Sequence, residues 1–388
     1  MRPQEGSVIK LIASGDHHWD EHERWDEALR VHGWMVNLIR DERPDVFLSG
    51  GDVYERASTP KERAAVADWL SAVAEVCPVV IAKGNHDRHL DCALLARLRT
   101  RHPVIVEERA GVHVVGGAAI ATVAWPERVH LLAAMGAVSG DAVDVVVNDA
   151  LCNVLRGLGD QLEGHDGPRI LLGHFMCDGA ETSTGQPLLG QPIRVGLADL
   201  ALARSHLTLM SHIHKAQQWD AGGAPALYMG SPFRTTFGQL ERKSVVVATF
   251  DGARLTELRE VETPATPMVQ LEYEWTSDGM FCSGGAQLHE EQLPDLNGAE
   301  VRFRFGVDAD RREAAKAAAA QLKAEWLDMG AVNVKLEEEV RSVNRARAPE
   351  VSKAKTLEEK LELLWKTRGF DPGPRREALL EKARGLQC

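Results

Sequence analysis

The sequence predicts an α/β fold with parallel strands, followed by a small α+β domain and a helical tail. Three observations carry that expectation. Brief apolar runs ending in Gly or Asp read as buried strands. Stretches with apolar residues at helical spacing separate them. Two prolines within Thr263–Pro267 then break the chain ahead of a second, shorter strand and helix pattern.

Along the chain, Val8–Ala13 is the first strand. Trp25, Leu29, His32, Val36 and Ile39 recur on one helix face before the strand Asp45–Leu48, and Ala65, Trp69 and Val73 do so before the strand Pro78–Ala82. Such alternation implies parallel neighbours, with ligands beyond the strands' carboxyl ends. A helix over Asp141–Leu162 leads into the strand Arg169–Gly173. From Leu207 to Glu260 the pattern is mostly β, with Leu207–Met210, Leu227–Met229 and Ser244–Phe250 as strands. Residues 1–262 thus form the first expected domain.

Residues 268–343 form the second. Its strands are Met268–Trp275, Glu300–Phe305 and Val332–Val340, and its alanine-rich helix Ala309–Asp328 carries a Leu322, Trp326, Met329 stripe. The tail, 349–388, starts a helix at the capping box Thr356-Leu-Glu-Glu359, with Leu357, Leu361, Leu364 and Trp365 on one face. Gly369–Pro374 interrupts it, and a second helix carries Leu379, Leu380, Ala383 and Leu386.

The 388 residues are 44% hydrophobic and 26% charged, ordinary values for a globular protein. A net charge of −12 argues against holding nucleic acid by bulk positive charge. The charge is segregated, however. Residues 341–388 carry 12 Lys/Arg against 7 Asp/Glu, a net of +5, which leaves −17 on residues 1–340. Six cysteines without a C-x-x-C pair indicate neither a disulfide framework nor a zinc ribbon, and suit a reducing cytoplasm. No signal-like apolar core and no run of about 18 apolar residues is present, so no membrane span is expected.

The chemistry is carried by short motifs at strand ends: Asp16-His17-His18, Gly51-Asp52, Gly84-Asn85-His86-Asp87, Gly173-His174 and Ser211-His212-Ile213-His214. In an extended segment residues two apart face the same way, so His212 and His214 can share a site, as can Asp16 and His18. Two divalent ions about 3.5–4 Å apart need a bridging oxygen ligand, and a carboxylate supplies it while offsetting part of their charge. Asp52 is the natural bridge. Imidazole and carboxamide ligands leave the ions acidic enough to activate a bound water. The cysteines, and His17, His22, His32, His89, His102, His113, His130, His165, His206 and His289, have no motif that assigns them a role.

The motif order D-x-H, G-D, G-N-H-D, H, H-x-H resembles that of the calcineurin-like metallophosphoesterases, which implies a β-sandwich flanked by helices. By that resemblance one metal is held by Asp16, His18 and His214 and the other by Asn85, His174 and His212, with Asp52 shared. His86 would assist the leaving oxygen, with Asp87 orienting it. The segment Gly230-Ser-Pro-Phe-Arg-Thr-Thr-Phe237-Gly238 followed by Lys243 resembles SbcD, the nuclease subunit of the SbcC–SbcD DNA repair complexes of cells and phages. This resemblance implies an Mn²⁺-dependent DNA exonuclease or endonuclease. It also implies a DNA-capping domain, a tail that binds the coiled-coil ABC-type ATPase partner, and a homodimer with an element near Asp91–Arg99. Two positions depart from the pattern. Gln239 stands where an acidic residue usually follows F-G, and Glu55 where some relatives carry a histidine. Lys83, Arg88, Lys215 and Arg234 lie near the motifs and are candidates for phosphate contacts. The alternatives are a small-molecule phosphodiesterase, such as a cyclic-nucleotide hydrolase, and a scaffold with a decayed site.

Overall fold

The computed structural model describes residues 8–128, 130–131, 143–184, 193–284, 286–289, 293–341, 351 and 354–386. The expected helix start at Asp141 and the basic residues Arg345 and Arg347 lie outside them. The chain divides into two compact units, Met1–Val269 with Gly298–Glu300 and Gln270–Asn297 with Val301–Cys388.

The first unit is a sandwich of two six-stranded sheets. One contains β1 (Val8–Ser14), β2 (Val46–Ser49), β3 (Val79–Ala82), β4 (Val104–Glu107), β11 (Ser244–Asp251) and β12 (Arg254–Glu262), in the order β12-β11-β1-β2-β3-β4. The other contains β5 (Ala110–Val115), β6 (Ala118–Val123), β7 (Arg169–His174), β8 (Leu207–Ser211), β9 (Gln217–Asp220) and β10 (Pro225–Tyr228), in the order β5-β6-β7-β8-β10-β9. β1, β2 and β3 run parallel, as do β6, β7 and β8, so both sets point their carboxyl ends to one edge of the sandwich.

Period-two alternation explains the layering. Leu11, Ala13, Val46, Leu48, Val80 and Ala82 pack inward against Ile120, Ile170, Leu172, Leu207 and Leu209 of the facing sheet. Their neighbours Ile12, Phe47, Val79 and Ile81 point outward under helices α1 (Trp25–Glu42) and α2 (Pro60–Ala74). On the opposite side Leu171 and Ala121 pack under α4 (Val143–Leu162). Strands covered on both faces read as continuous apolar runs, and this is why their positions were legible. α2 starts where its sequence dictates. Thr59 accepts from the Glu62 N–H, Glu62 accepts from the Thr59 N–H, and Pro60 occupies the first turn.

Two helix faces differ from expectation. α1 buries the expected His32, Val36 and Ile39 together with Ala28, Val31 and Met35, whereas Leu29 is exposed. The buried face is shifted off Leu29 because Val31 and Met35, four residues apart, also pack into the core. The strands β4, β5 and β6 and the short helix α3 (His89–Leu95) also complete the layer between Ala82 and α4, in a region whose strands the sequence pattern left unread.

The second unit has its own five-stranded sheet. β13 (Met268–Trp275), β14 (Phe281–Ser283), β15 (Ala286–Gln287), β16 (Glu300–Asp308) and β17 (Asn333–Arg341) run in the order β15-β14-β13-β16-β17. α5 (Arg312–Asp328) buries Ala315, Ala319 and Trp326, and the Trp326 ring meets Phe303 edge-on at 5.1 Å. Met329, expected in that stripe, lies past the helix end and is exposed. The tail helices α6 (Leu357–Arg368) and α7 (Arg376–Gly385) are joined by Arg376–Glu362 and Arg384–Glu358 pairs. α6 buries none of its residues, and α7 buries only Leu380 and Ala383.

Candidate metal centre

Every motif residue sits at a carboxyl end of the parallel strands. Asp16 and His18 follow β1, Asp52 follows β2, and Asn85, His86 and Asp87 follow β3; His174 closes β7, and His212 and His214 follow β8. Leaving a strand abruptly requires unusual backbone angles. Asp16 (φ 52°), His18 (φ 43°), Asp52 (φ 47°) and His212 (φ 102°) all adopt positive φ, which non-glycine residues accept only where the surroundings fix it. Four of the seven expected ligands are held this way, at the turns that carry them off the strand ends.

Local packing explains the glycines. A Cβ on Gly84 would lie 2.1 Å from Asp52 Oδ1, so the G-N-H-D loop approaches the carboxylate only with glycine there. The loops are tied by the Asp16 N–H to the Gly51 carbonyl and the His18 N–H to the Asp52 carbonyl, both at 2.9 Å.

The side chains gather into overlapping clusters. Asp16, His18 and His214 form one, Asp52, His174 and His212 another, and His18, Asp52 and His86 a third, with the ligand atoms of each within 4.8 Å of one another. Asn85 Oδ1 joins the second, 3.0 Å from His174 Nε2 and 2.8 Å from His212 Nδ1. Asp52 lies between the clusters. Its Oδ2 is 3.3 Å from His174 Nε2 and 3.9 Å from His18 Nε2, while Oδ1 accepts the His86 N–H at 2.8 Å. The His174 Nδ1–H donates to the Gly50 carbonyl at 2.7 Å, which turns Nε2 toward Asn85 Oδ1 and Asp52 Oδ2.

Electrostatics favour the same use. Burial raises the Asp16 carboxyl to about 6, even though His174 and His18 pull it down. Burial would also raise Asp52, but His174 and His18 hold it below the usual carboxylate range. Burial would depress His174, yet Asp52 and Asp16 bring it up to about 9. Burial and the His174 charge push His212 down to about 3. Carboxylate and imidazole lone pairs converge on common points where a divalent cation replaces the missing opposite charge. The residues present therefore fit two oxygen- and nitrogen-ligated ions.

His86 lies beside the clusters, its Nδ1 2.5 Å from the Glu55 carbonyl and its ring edge-on to His18 at 5.0 Å. The Asp87 carboxylate is buried and accepts the N–H groups of Val53 (2.8 Å), Tyr54 (3.1 Å) and Gly84 (2.9 Å), while the Glu55 carbonyl holds the His86 ring. Three N–H groups converge on Asp87 because it sits between the two loops that carry Asp52 and Asn85.

Three site neighbours lay outside the sequence-based set. Trp125 stacks obliquely on His212 at 4.7 Å, Glu55 Oε2 approaches His18 Nδ1 at 2.6 Å, and Gln239 Nε2 lies 2.7 Å from His214 Nδ1. Glu55 and Gln239 were visible as departures from the motif pattern, whereas Trp125 carried no signal because β6 itself was unread. Among the basic candidates, Arg234 is engaged by the carbonyls of Thr266 and Glu241, and Lys215 pairs with Glu181. His17 is buried behind the site between His32 Nε2 and Ser49 Oγ, each at 3.1 Å. His89 is exposed and pairs with Glu108.

A helix-flanked β-sandwich whose clustered Asp, Asn and His side chains could hold divalent ions at one edge fits a metal-dependent phosphoesterase. Residues 9–215 match the family described as calcineurin-like phosphoesterase, and the chain belongs to it. Solved structures it resembles include TT1561 of Thermus thermophilus, at 16% identity over 66% of this chain and 99% of that one, with a TM-score of 0.40. A dimetal phosphatase of Danio rerio matches at 13% identity over 66% and 98%, with a TM-score of 0.42. The Plasmodium protein GAP50, titled the anchor in the inner membrane complex, matches at 13% over 66% and 89%, with a TM-score of 0.41. A comparison with curated proteins finds no match. Among the described residues no helix is long and apolar enough to cross a membrane.

Proposed function

We propose that this phosphoesterase is an Mn²⁺-dependent DNA nuclease, the catalytic subunit of an SbcC–SbcD-like complex in the cytoplasm. The metal ligands in this reading are Asp16, His18, His214, Asp52, Asn85, His174 and His212. When bound, the two ions polarise a water and offset the charge that builds on the phosphoryl oxygens.

The chain's own groups do the rest. Asp52, with Oδ2 toward both His174 and His18, would be shared by the two positions, and the His86 N–H on Oδ1 holds that carboxylate in place. Because the His86 Nδ1–H is held by the Glu55 carbonyl, Nε2 is the nitrogen left for a departing oxygen, and it gives a proton there only from the imidazolium form, with both nitrogens protonated. The observation that supports a polymer over a small ester is that cavities border the clusters on more than one side. His18, Glu55, His86, His214 and Thr235 line one of about 200 Å³, and Asn85 opens into one of about 680 Å³ where Lys83, Arg88 and Arg109 stand among Asp87, Glu107, Glu108 and Glu127. A strand extending both ways from the scissile phosphate uses both. The unburied α6 supports docking of the tail on a partner's helices. The motif resemblance to SbcD names that partner as a coiled-coil ATPase and also supports a homodimer.

The decisive assay compares Mn²⁺-dependent release of nucleotides from linear duplex DNA with hydrolysis of a cyclic nucleotide and of an aryl phosphodiester. Turnover of DNA is expected. Turnover confined to the small esters would replace this reading with a small-molecule phosphodiesterase.

A further inference from the structure

The cavity of about 680 Å³ beside Asn85 sets Lys83, Arg88 and Arg109 against Asp87, Glu107, Glu108 and Glu127. By formal charge it repels anions. Its hydrogen bonds decide otherwise, because the acids are already met from within the chain. Asp87 accepts three backbone N–H groups. Glu107 Oε1 accepts the N–H groups of Glu108 at 3.1 Å and Arg109 at 3.2 Å, and its Oε2 lies 3.4 Å from His113 Nε2. Glu108 Oε2 is 2.5 Å from His89 Nδ1. Glu127 is the loosest of the four, 3.4 Å from Lys83 Nζ and 3.6 Å from His130 Nδ1, beyond the about 2.7–2.9 Å of a firm charge-assisted bond.

The cations are not so matched. Among the described residues no carboxylate lies within ion-pair distance of the Arg88 or Arg109 guanidinium, and both residues are exposed. Lys83 is buried instead, its side chain 10% exposed, with Glu127 as its ion-pair partner. Its backbone is fixed from two sides. The Lys83 N–H meets the Glu107 carbonyl at 2.9 Å, and the Lys83 carbonyl accepts at 2.8 Å from the N–H of Trp125, the residue that stacks on His212. The Arg109 carbonyl accepts the Ala124 N–H at 2.6 Å. Main-chain bonds between the ends of the two sheets thus hold Lys83 and Arg109 on the cavity wall before any ligand arrives. Lys83 and Asn85, two residues apart, are separated by at most about 7 Å from Cα to Cα, comparable to the step between successive phosphates on a strand.

We propose that this cavity is a subsite for the phosphate next to the scissile one, bound by Lys83, Arg88 and Arg109, with Glu127 as the group it displaces. The inference rests on the nuclease reading and specifies how that substrate is held. A phosphate oxygen takes the place of Glu127 Oε1 on Lys83 Nζ, and the Arg88 and Arg109 guanidinium groups close on the other oxygens, a pairing that suits their fork geometry. The cavity beside His86 does not match this role. It is lined by Asp20, Glu23 and Glu55, and its one arginine, Arg24, is held by Glu27 and Glu300. A second phosphate is therefore favoured on the Lys83 side alone.

The test uses the full chain in Mn²⁺ and compares the thymidine dinucleotide, which has one phosphodiester, with the trinucleotide, which has two. After allowance for the extra bond, wild type is expected to cut the trinucleotide with a kcat/KM at least about tenfold higher, carried mainly by KM, the scale of one charge-assisted hydrogen bond. The double variant Arg88→Gln, Arg109→Gln should bring the two substrates to within about threefold of each other, as expected when those bonds are lost. Glu127→Gln keeps the shape of the competitor without its charge, and should widen the preference about two- to fivefold. A purely structural role would move both substrates together and leave their ratio alone. No preference in wild type overturns the proposal, and that comparison decides even should a variant not fold. A preference that survives the double variant, or fails to widen in Glu127→Gln, also overturns it while leaving the nuclease reading intact. Hydrolysis of an aryl phosphodiester with neither oligonucleotide cut would sink both.

Discussion

Replacing Asp87 by alanine removes the acceptor of three buried N–H groups, those of Val53, Tyr54 and Gly84. Each buried donor left unmet costs ~1–3 kcal/mol, and water entry into the new space recovers part of it, so the loss is ~3–6 kcal/mol. For a unit of this size that corresponds to a fall in Tm of roughly 10 °C. Asp87→Asn keeps one oxygen for Val53 and Tyr54 but turns an NH₂ toward Gly84, and should lose about half as much or less. Because the same N–H groups hold the loops bearing Asp52 and Asn85, Mn²⁺ affinity should fall with stability. Urea unfolding, thermal melts and calorimetric Mn²⁺ titration measure these together. An alanine variant with wild-type Tm would refute the reasoning. One that lost turnover while keeping stability and metal affinity would show that Asp87 acts on His86 directly.

His86→Ala should retain both ions but lose about 10²–10⁴ in turnover, whereas Asp52→Asn should weaken both ions and turnover together, as read by calorimetry beside a DNA assay. Metal uptake at pH 7.5 should release protons. His174, brought up to about 9, is protonated there without metal, so affinity should climb as pH rises toward 9 and fall further below about 6 as Asp16 takes a proton. Calorimetry in buffers of different ionisation enthalpy shows this, and heats independent of buffer would contradict it. Deleting residues 349–388 should leave the melting of the first unit within about 3 °C of wild type, since α6 buries nothing and α7 only Leu380 and Ala383. Loss of cooperative unfolding would show that the tail is part of a core.

The sequence by itself determined the elements that are covered on both faces and the order of the polar groups at their ends. β1, β2, β3, β7 and β8 were legible because a doubly buried strand must be apolar throughout, and because the turn after it concentrates Gly, Asp, Asn and His. It misplaced Leu29 and Met329, since helical spacing gives a stripe but not which neighbouring stripe the sheet will cover. Only the tertiary structure decided which groups meet. It brought Asp16 beside His212, residues 196 positions apart. It set the Asp87 carboxylate on three backbone N–H groups, Trp125 on His212, and the Gln239 amide at His214. Those pairings depend on how loops from separate strands converge at one edge of the sandwich, which local pattern does not encode.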